Sequence, residues 1–159
     1  MIKKILAIDP GTLISGYVLV EITPEFKILE HEIVSNDIIF HKINDIEKTN
    51  VRVIIEAISS MGQRIGESTI STIFFTGRIY ELCVQSEIKV SLIERKTVKK
   101  TLCPKVRAKD KDIRAKLISL FGEPGTKKNP GKLYGIKTHE WQALGACIAY
   151  LIKEGIKFD

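Results

Sequence analysis

Two carboxylates in this sequence stand where strands are expected to end. Asp9 closes the stretch KKILAID and is followed at once by Pro10-Gly11, and Glu56 comes near the end of the β-branched run VRVIIEA, residues 51–57. If these two strands are parallel neighbours, both side chains emerge at one edge of a sheet, where α/β folds place their sites. Paired carboxylates suit hard divalent cations, which take oxygen ligands. Two Mg²⁺ ions held about 4 Å apart can activate water and stabilise the leaving oxygen of a phosphodiester. Asp9 also has a plainer reading, since Asp before Pro-Gly commonly starts a turn. For Glu56 the plain reading is weaker, because the end of an apolar strand is a poor place for an idle carboxylate.

Charge points to the same substrate class. The chain carries +6 overall, yet residues 94–116, ERKTVKKTLCPKVRAKDKDIRAK, hold ten Lys or Arg against three Asp or Glu. That segment is +7 and the remainder is −1. A concentrated basic segment on a near-neutral body suits a phosphate backbone, where Lys and Arg replace condensed counterions. Lys96, Lys99, Lys100, Lys105, Arg107, Lys109 and Lys111 are the candidate contacts. A solvated, lysine-rich helix face is the alternative.

The elements that must position these groups can be read from periodicity. Short strands are expected over residues 3–9, 17–22 and 26–34, joined by a turn from Gly11 to Gly16 and by Thr23-Pro24-Glu25. Ser35 or Asn36 can cap a helix with Ile39, Ile43 and Ile46 on one face. The fourth strand is 51–57. A helix from Glu67 to about Gln85 sets Ile70, Ile73, Phe74, Gly77 and Val84 at helical spacing. A fifth strand over 88–93, a helix from Asp110 to Phe121, a Gly- and Pro-rich loop over 122–132 and a last helix from Thr138 to Glu154, stopped by Gly155, complete the chain. The order β-β-β-α-β-α-β-α-α predicts one α/β domain, residues 1–159, built on a mixed sheet whose first strands are antiparallel.

Composition narrows the classes further. With 44% hydrophobic and 28% charged residues the chain has the balance of a globular protein. No apolar run approaches the roughly 20 residues that span a bilayer. The opening MIKKILAIDPG is too short for a secretion signal and is read as the first strand of a cytoplasmic protein. Cys83, Cys103 and Cys147 form no CxxC pair, which argues for reduced thiols rather than a zinc site or disulfide framework.

Four segments then carry a resemblance. AIDPGTLISGYVLVE (7–21) is similar to the opening strand-turn-strand of RuvC-type Holliday junction resolvases, members of the RNase H-like superfamily. VIIEAIS (53–59) places Glu56 at that family's second carboxylate. RKTVKKTL (95–102) resembles its QVKQ segment, and THEWQALGACIAYL (138–151) aligns with its final D-x-x-D-A-L-A helix. The resemblance implies an RNase H-like five-stranded mixed sheet flanked by helices. It also implies a homodimeric, Mg²⁺-dependent endonuclease, with Mn²⁺ as a substitute, that cuts four-way DNA junctions and by extension forks. On this alignment Asp9 and Glu56 are metal ligands and Lys99 lies near the scissile phosphate. A second lysine corresponds to Lys109 or Lys111, and the helix bearing Phe74 and Gly77 is either a dimer face or simple core.

The chain also departs from the pattern. His139 stands at the first Asp of the last motif, where some family members also carry His, and could bind metal or relay a proton. Gln142 stands at the second, and a neutral amide is a weaker Mg²⁺ ligand than a carboxylate. Glu140 is a candidate replacement, but it lies roughly 200° round the helix from Gln142. Its other role is a favourable charge near a helix N-terminus. Ser59 occupies a position where bacterial relatives carry a base-stacking aromatic, with Met61 as a nearby apolar substitute. Such divergence fits a phage or mobile-element relative.

Three functions follow as expectations: a branched-DNA endonuclease in recombination, repair or phage DNA processing; a branched-DNA-binding protein with weak or lost cleavage; and a YqgF-like RNA-processing nuclease. The IDPGT loop also resembles that of actin-like ATPases and sugar kinases, but those need two such domains.

Overall fold

Alternation along the strands decides which side of the sheet each residue serves. The computed structural model describes residues 2–158 apart from 60, 61, 63 and 106, so Met61 lies outside the described residues. In β1 (Lys4–Asp9), Ile5 and Ala7 enter one core cluster, and Leu6 and Ile8 enter the other. Side chains two apart share a face of a strand, so each strand feeds two cores at once.

The strands β2 (Ile14–Glu21) and β3 (Lys27–Ser35) extend β1 as an antiparallel meander. On its other side β1 pairs parallel with β4 (Val51–Ala57), and β4 pairs parallel with β5 (Lys89–Glu94). The sheet order is β3-β2-β1-β4-β5, the mixed five-stranded α/β arrangement expected from the sequence. Two helices, α1 (Asn36–Asp45) and α2 (Glu67–Gln85), pack their buried residues into the core with Leu6 and Ile8. The opposite core receives α3 (Arg95–Leu102), α4 (Asp110–Phe121) and α5 (Thr138–Lys153). No helix among the described residues is long and apolar enough to cross a membrane. The three cysteines are free and buried.

Three expectations are corrected. The first turn is shorter than Gly11–Gly16, because Gly16 already pairs with Asp9 and Ile14 with Ser35. Ser35 is the N-cap of α1 without a side-chain cap bond, while the Asn36 amide donates to the carbonyls of Gly11 and Thr12 and so pins the turn after Asp9. The short helix α3 was missing from the expected order, since only Val98 and Leu102 of its eight residues are buried. The third correction concerns α2. Its buried residues are Thr72, Phe75, Ile79 and Cys83. Ile70, Ile73, Phe74 and Val84 are exposed, with Phe74 at 70%, so that stripe is not core.

The helix α5 is buried almost throughout, from Glu140 to Leu151, and a helix apolar on all sides belongs inside. Small residues let it lie close to its neighbours. A Cβ built on Gly145 would meet Ile113 Cγ2 at 2.9 Å, and one on Gly16 would stand 2.6 Å from both the carbonyl carbon and the Cβ of His139. Gly16 is therefore the notch in β2 that seats the first turn of α5. We expect Gly16→Ala to push α5 off the sheet and destabilise the protein by roughly 1–3 kcal/mol, the usual cost of overpacking. Thermal denaturation measures this, and an unchanged midpoint would show that the contact is not tight.

Candidate active site

Strand parity brings the acids together. Asp9 continues the Ile5–Ala7 face of β1, and Glu56 continues the Ile54 face of β4; Ile5, Ala7 and Ile54 all belong to the core of α5. Both acids therefore reach the carboxyl edge of parallel neighbours on the α5 side. Asp9 is 7% exposed and Glu56 5%. Burial raises both above the usual carboxylate range. For Glu56 the negative charge of Asp9 adds to desolvation against the opposing pull of Arg95, and its carboxyl is pushed up to about 7. Asp9 is moderated by its hydrogen bond from His139.

The first turn of α5 supplies two more groups, because positions three apart share a helix face. His139 Nδ1 donates to Asp9 Oδ2 at 2.7 Å. In the neutral ring this leaves the lone pair on Nε2. Gln142 lies against the same cleft with 8% exposure. Glu140 does not join them: one of its carboxylate oxygens accepts from His31 Nδ1 at 3.2 Å and the other from the Lys137 backbone N–H. It is a helix cap and a tie to β3, and it does not line the cleft that holds Asp9, Glu56 and Gln142.

Opposite the acids stands a wall of cations from α3 and α4. Arg95 was not singled out from the sequence, yet it reaches furthest in. Its Nη1 donates to Glu56 Oε1 at 2.8 Å and its Nη2 to Asp110 Oδ1 at 2.7 Å. Although desolvation works against its charge, Glu56 and Asp110 outweigh this and raise its pKa. Lys99 Nζ lies 3.6 Å from the same Asp110 oxygen.

These groups line a cleft of about 1030 Å³. Lys96, Lys99 and Lys111 stand in its wall, together with Arg114, whose guanidinium lies over Trp141. Of the two helix-start lysines, Lys111 lines the cleft, whereas Lys109 is the N-cap of α4. Lys100, Lys105 and Arg107 are exposed outside the wall, and Lys105 pairs with Asp112 at 2.6 Å. On the far side Thr12, Ser68 and Thr72 present hydroxyls. The Ser59 hydroxyl accepts from the Lys96 backbone N–H at 3.3 Å, joining the end of β4 to α3.

Whether the site suits a cation is tested by its unpartnered atoms. Glu56 Oε2 and Gln142 Oε1 are buried without a hydrogen-bond partner. Each such acceptor costs about 1–3 kcal/mol unless something positive meets it. Among the described residues no three His, Cys, Asp or Glu side chains converge tightly enough to hold an ion by themselves. Here the donors are instead carboxylate and amide oxygens with one imidazole, a set that fits a hard or borderline divalent ion.

The sheet order and flanking helices match an RNase H-like fold of the RuvC type. RuvC from Thermus thermophilus matches the chain with a TM-score of 0.69 at 15% identity, covering 96% of both chains. The T. thermophilus RuvC structure in complex with a Holliday junction substrate gives 0.70 at 15% identity, over 96% of this chain and 94% of that one. The yeast mitochondrial Holliday junction resolvase Ydc2 gives 0.54 at 15% identity, over 91% and 76%. No protein-family model matches the sequence, and neither does any curated protein.

The environment of Glu56 sets a pH dependence. Its carboxyl lies near 4.5 when unperturbed and is raised to about 7 in the fold. The folded protein therefore holds this proton longer than the unfolded chain does. The stability linked to Glu56 is present below about 4.5 and is lost as pH rises through about 7. In EDTA, Glu56→Gln should melt higher than the parent at pH 8, and the gap should narrow toward pH 5. Melting curves that stay parallel across that range would remove Glu56 from a strained, buried site.

Proposed function

We propose that this chain is a divalent-metal-dependent endonuclease that nicks branched DNA, four-way junctions above all, in recombination, repair or phage DNA processing. One observation carries the reading: two buried carboxylates, Asp9 and Glu56, face a cation-lined cleft at the carboxyl edge of a RuvC-type sheet. A sugar-phosphate backbone matches that cleft, since acids at its floor suit metal and cations on its wall suit phosphate.

In this reading Asp9 and Glu56 hold Mg²⁺ or Mn²⁺, with Gln142 and His139 as the further ligand positions. When bound, the ion lowers the pKa of a coordinated water and neutralises charge on the leaving oxygen. His139 is oriented by Asp9 and offers Nε2 to the cleft as a ligand or proton acceptor. Lys99, drawn toward Asp110 in the cleft wall, is the lysine that meets the scissile phosphate in this reading. Lys96, Lys111 and Arg114 extend that contact along the strand, and Lys100, Lys105, Arg107 and Lys109 lie on the adjoining surface. The exposed stripe Ile70–Phe74–Val84 on α2, with Gly77 open to close approach, is the face for a second copy in a homodimer. An apolar stripe of this kind is a common mark of association.

The amide at Gln142 favours one second reading, a branched-DNA-binding protein with weak cleavage. Asp9→Asn and Glu56→Gln should lower nicking of a four-way junction in Mg²⁺ or Mn²⁺ by at least about a hundredfold, with junction binding retained. Wild-type protein that binds junctions tightly but leaves them uncut in both metals would establish the second reading. In the same binding assay, replacing Lys96, Lys99 and Lys100 by Ala should flatten the log–log salt dependence by roughly 2 to 3. An unchanged slope would remove this segment from the DNA contact.

The dimer has its own test. Phe74→Arg should convert a dimer to a monomer in sedimentation equilibrium. A wild-type chain that is monomeric throughout the micromolar range would contradict this part of the proposal.

A further inference from the structure

Arg95 occupies an unusual position for a guanidinium beside two candidate metal ligands. It starts α3, directly after β5, so its backbone is fixed by the sheet. Its fork is not spent on one carboxylate. Nη1 reaches Glu56 Oε1 at 2.8 Å and Nη2 reaches Asp110 Oδ1 at 2.7 Å, so the group spans a buried acid and a half-exposed one. Glu56 keeps its second oxygen unpartnered. Arginine does not lose its proton in proteins, so this positive charge is permanent. A divalent ion on Glu56 and a guanidinium on the same carboxylate repel each other. That repulsion weakens the contact of Arg95 with Glu56 when metal arrives, and the contact with Asp110 is already in place.

We propose that Arg95 is the cleft's resident cation, holding Glu56 in the metal-free protein and passing to Asp110 when a divalent ion takes that carboxylate. From Asp110 the guanidinium stays in the cleft wall beside Lys99, where it meets a DNA phosphate. Asp110 is a positioning residue: it acts on the metal site through Arg95, by giving the displaced cation somewhere to go. The hand-over requires the loss of one hydrogen bond and no movement of the backbone. This inference rests on the metal-nuclease reading for its ligand but adds a residue pair that reading does not need. It also explains why Asp110 stands among the cations of α3 and α4.

The experiment is Mn²⁺ binding to the full chain without DNA, followed by electron paramagnetic resonance of the free ion and by fluorescence of Trp141, the single tryptophan, which lines the cleft. Arg95→Gln should bind Mn²⁺ about tenfold more tightly than the parent, corresponding to about 1.4 kcal/mol. Asp110→Asn should bind it several-fold more weakly, because Arg95 then rests wholly on Glu56. In the Arg95→Gln background, Asp110→Asn should have little further effect, which a direct metal ligand or a long-range charge would not produce. Arg95→Lys keeps the charge without the fork and should not show the gain, which separates lost charge from loosened packing.

Mn²⁺ affinity that is unchanged or weaker in Arg95→Gln, in a variant whose far-ultraviolet circular dichroism matches the parent, would overturn the hand-over. So would an Asp110→Asn effect that persists without Arg95, or an absence of Mn²⁺ binding by every variant at millimolar concentration. None of these readings depends on cleavage. A chain that binds Mn²⁺ as described yet never nicks DNA would refute the nuclease reading while leaving the hand-over standing.

Discussion

Asp9 and Glu56 are two acids placed at one sheet edge out of water, and the charge of Asp9 adds to the cost of charging Glu56. Desolvation and like-charge repulsion both act against ionisation here, and the surrounding structure answers them one acid at a time. Asp9 receives an N–H from His139, which can approach only because Gly16 has no side chain. Glu56 receives an N–H from Arg95, which is held at the β5–α3 junction. The compensation is incomplete, since one Glu56 oxygen and the Gln142 carbonyl stay unpartnered. Unpartnered oxygens of this kind are what the proposed divalent ion would satisfy.

The remaining architecture serves that edge. Parallel pairing of β1 and β4 sets the two acids on one face, and the meander β1-β2-β3 provides the notch and the His31 contact that fix the start of α5. Glu140 takes part in this fixation, bonding to His31 and to the Lys137 backbone. Arg95 at the start of α3 brings positive charge to within hydrogen-bonding reach of Glu56, and α4 adds Lys111 and Arg114 to the cleft wall. Acid floor and basic wall are thus parts of one balance, in which Arg95 and Asp110 are the exchangeable members.

Much of this was legible beforehand, for definable reasons. Strand periodicity and turn residues predicted the mixed sheet and the strand-end positions of Asp9 and Glu56, because alternation and chain reversal are local properties. Helical phase was enough to set Glu140 apart from Gln142. The helix α3 was not foreseen because two buried residues make no detectable period. The exposed side of α2 was also ambiguous: spacing shows that Ile70, Ile73 and Phe74 share a face, but not what that face meets. Arg95 and Asp110 were hidden for another reason. In a segment crowded with Lys and Arg, one guanidinium differs from its neighbours only through contacts to residues 39 positions earlier and 15 later. Charge counting sees the wall and cannot see which member reaches the floor.

The central claim is that Asp9 and Glu56 share a divalent ion at this edge, with Gln142 completing a site that Glu140 does not enter. Anomalous scattering from a Mn²⁺-soaked crystal tests it most directly. The account predicts a peak within coordination distance of both carboxylates, with the Gln142 amide oxygen or His139 Nε2 turned toward it and Arg95 on Asp110. A peak at Glu140 and His31, or a fully loaded crystal with no peak between Asp9 and Glu56, would contradict it.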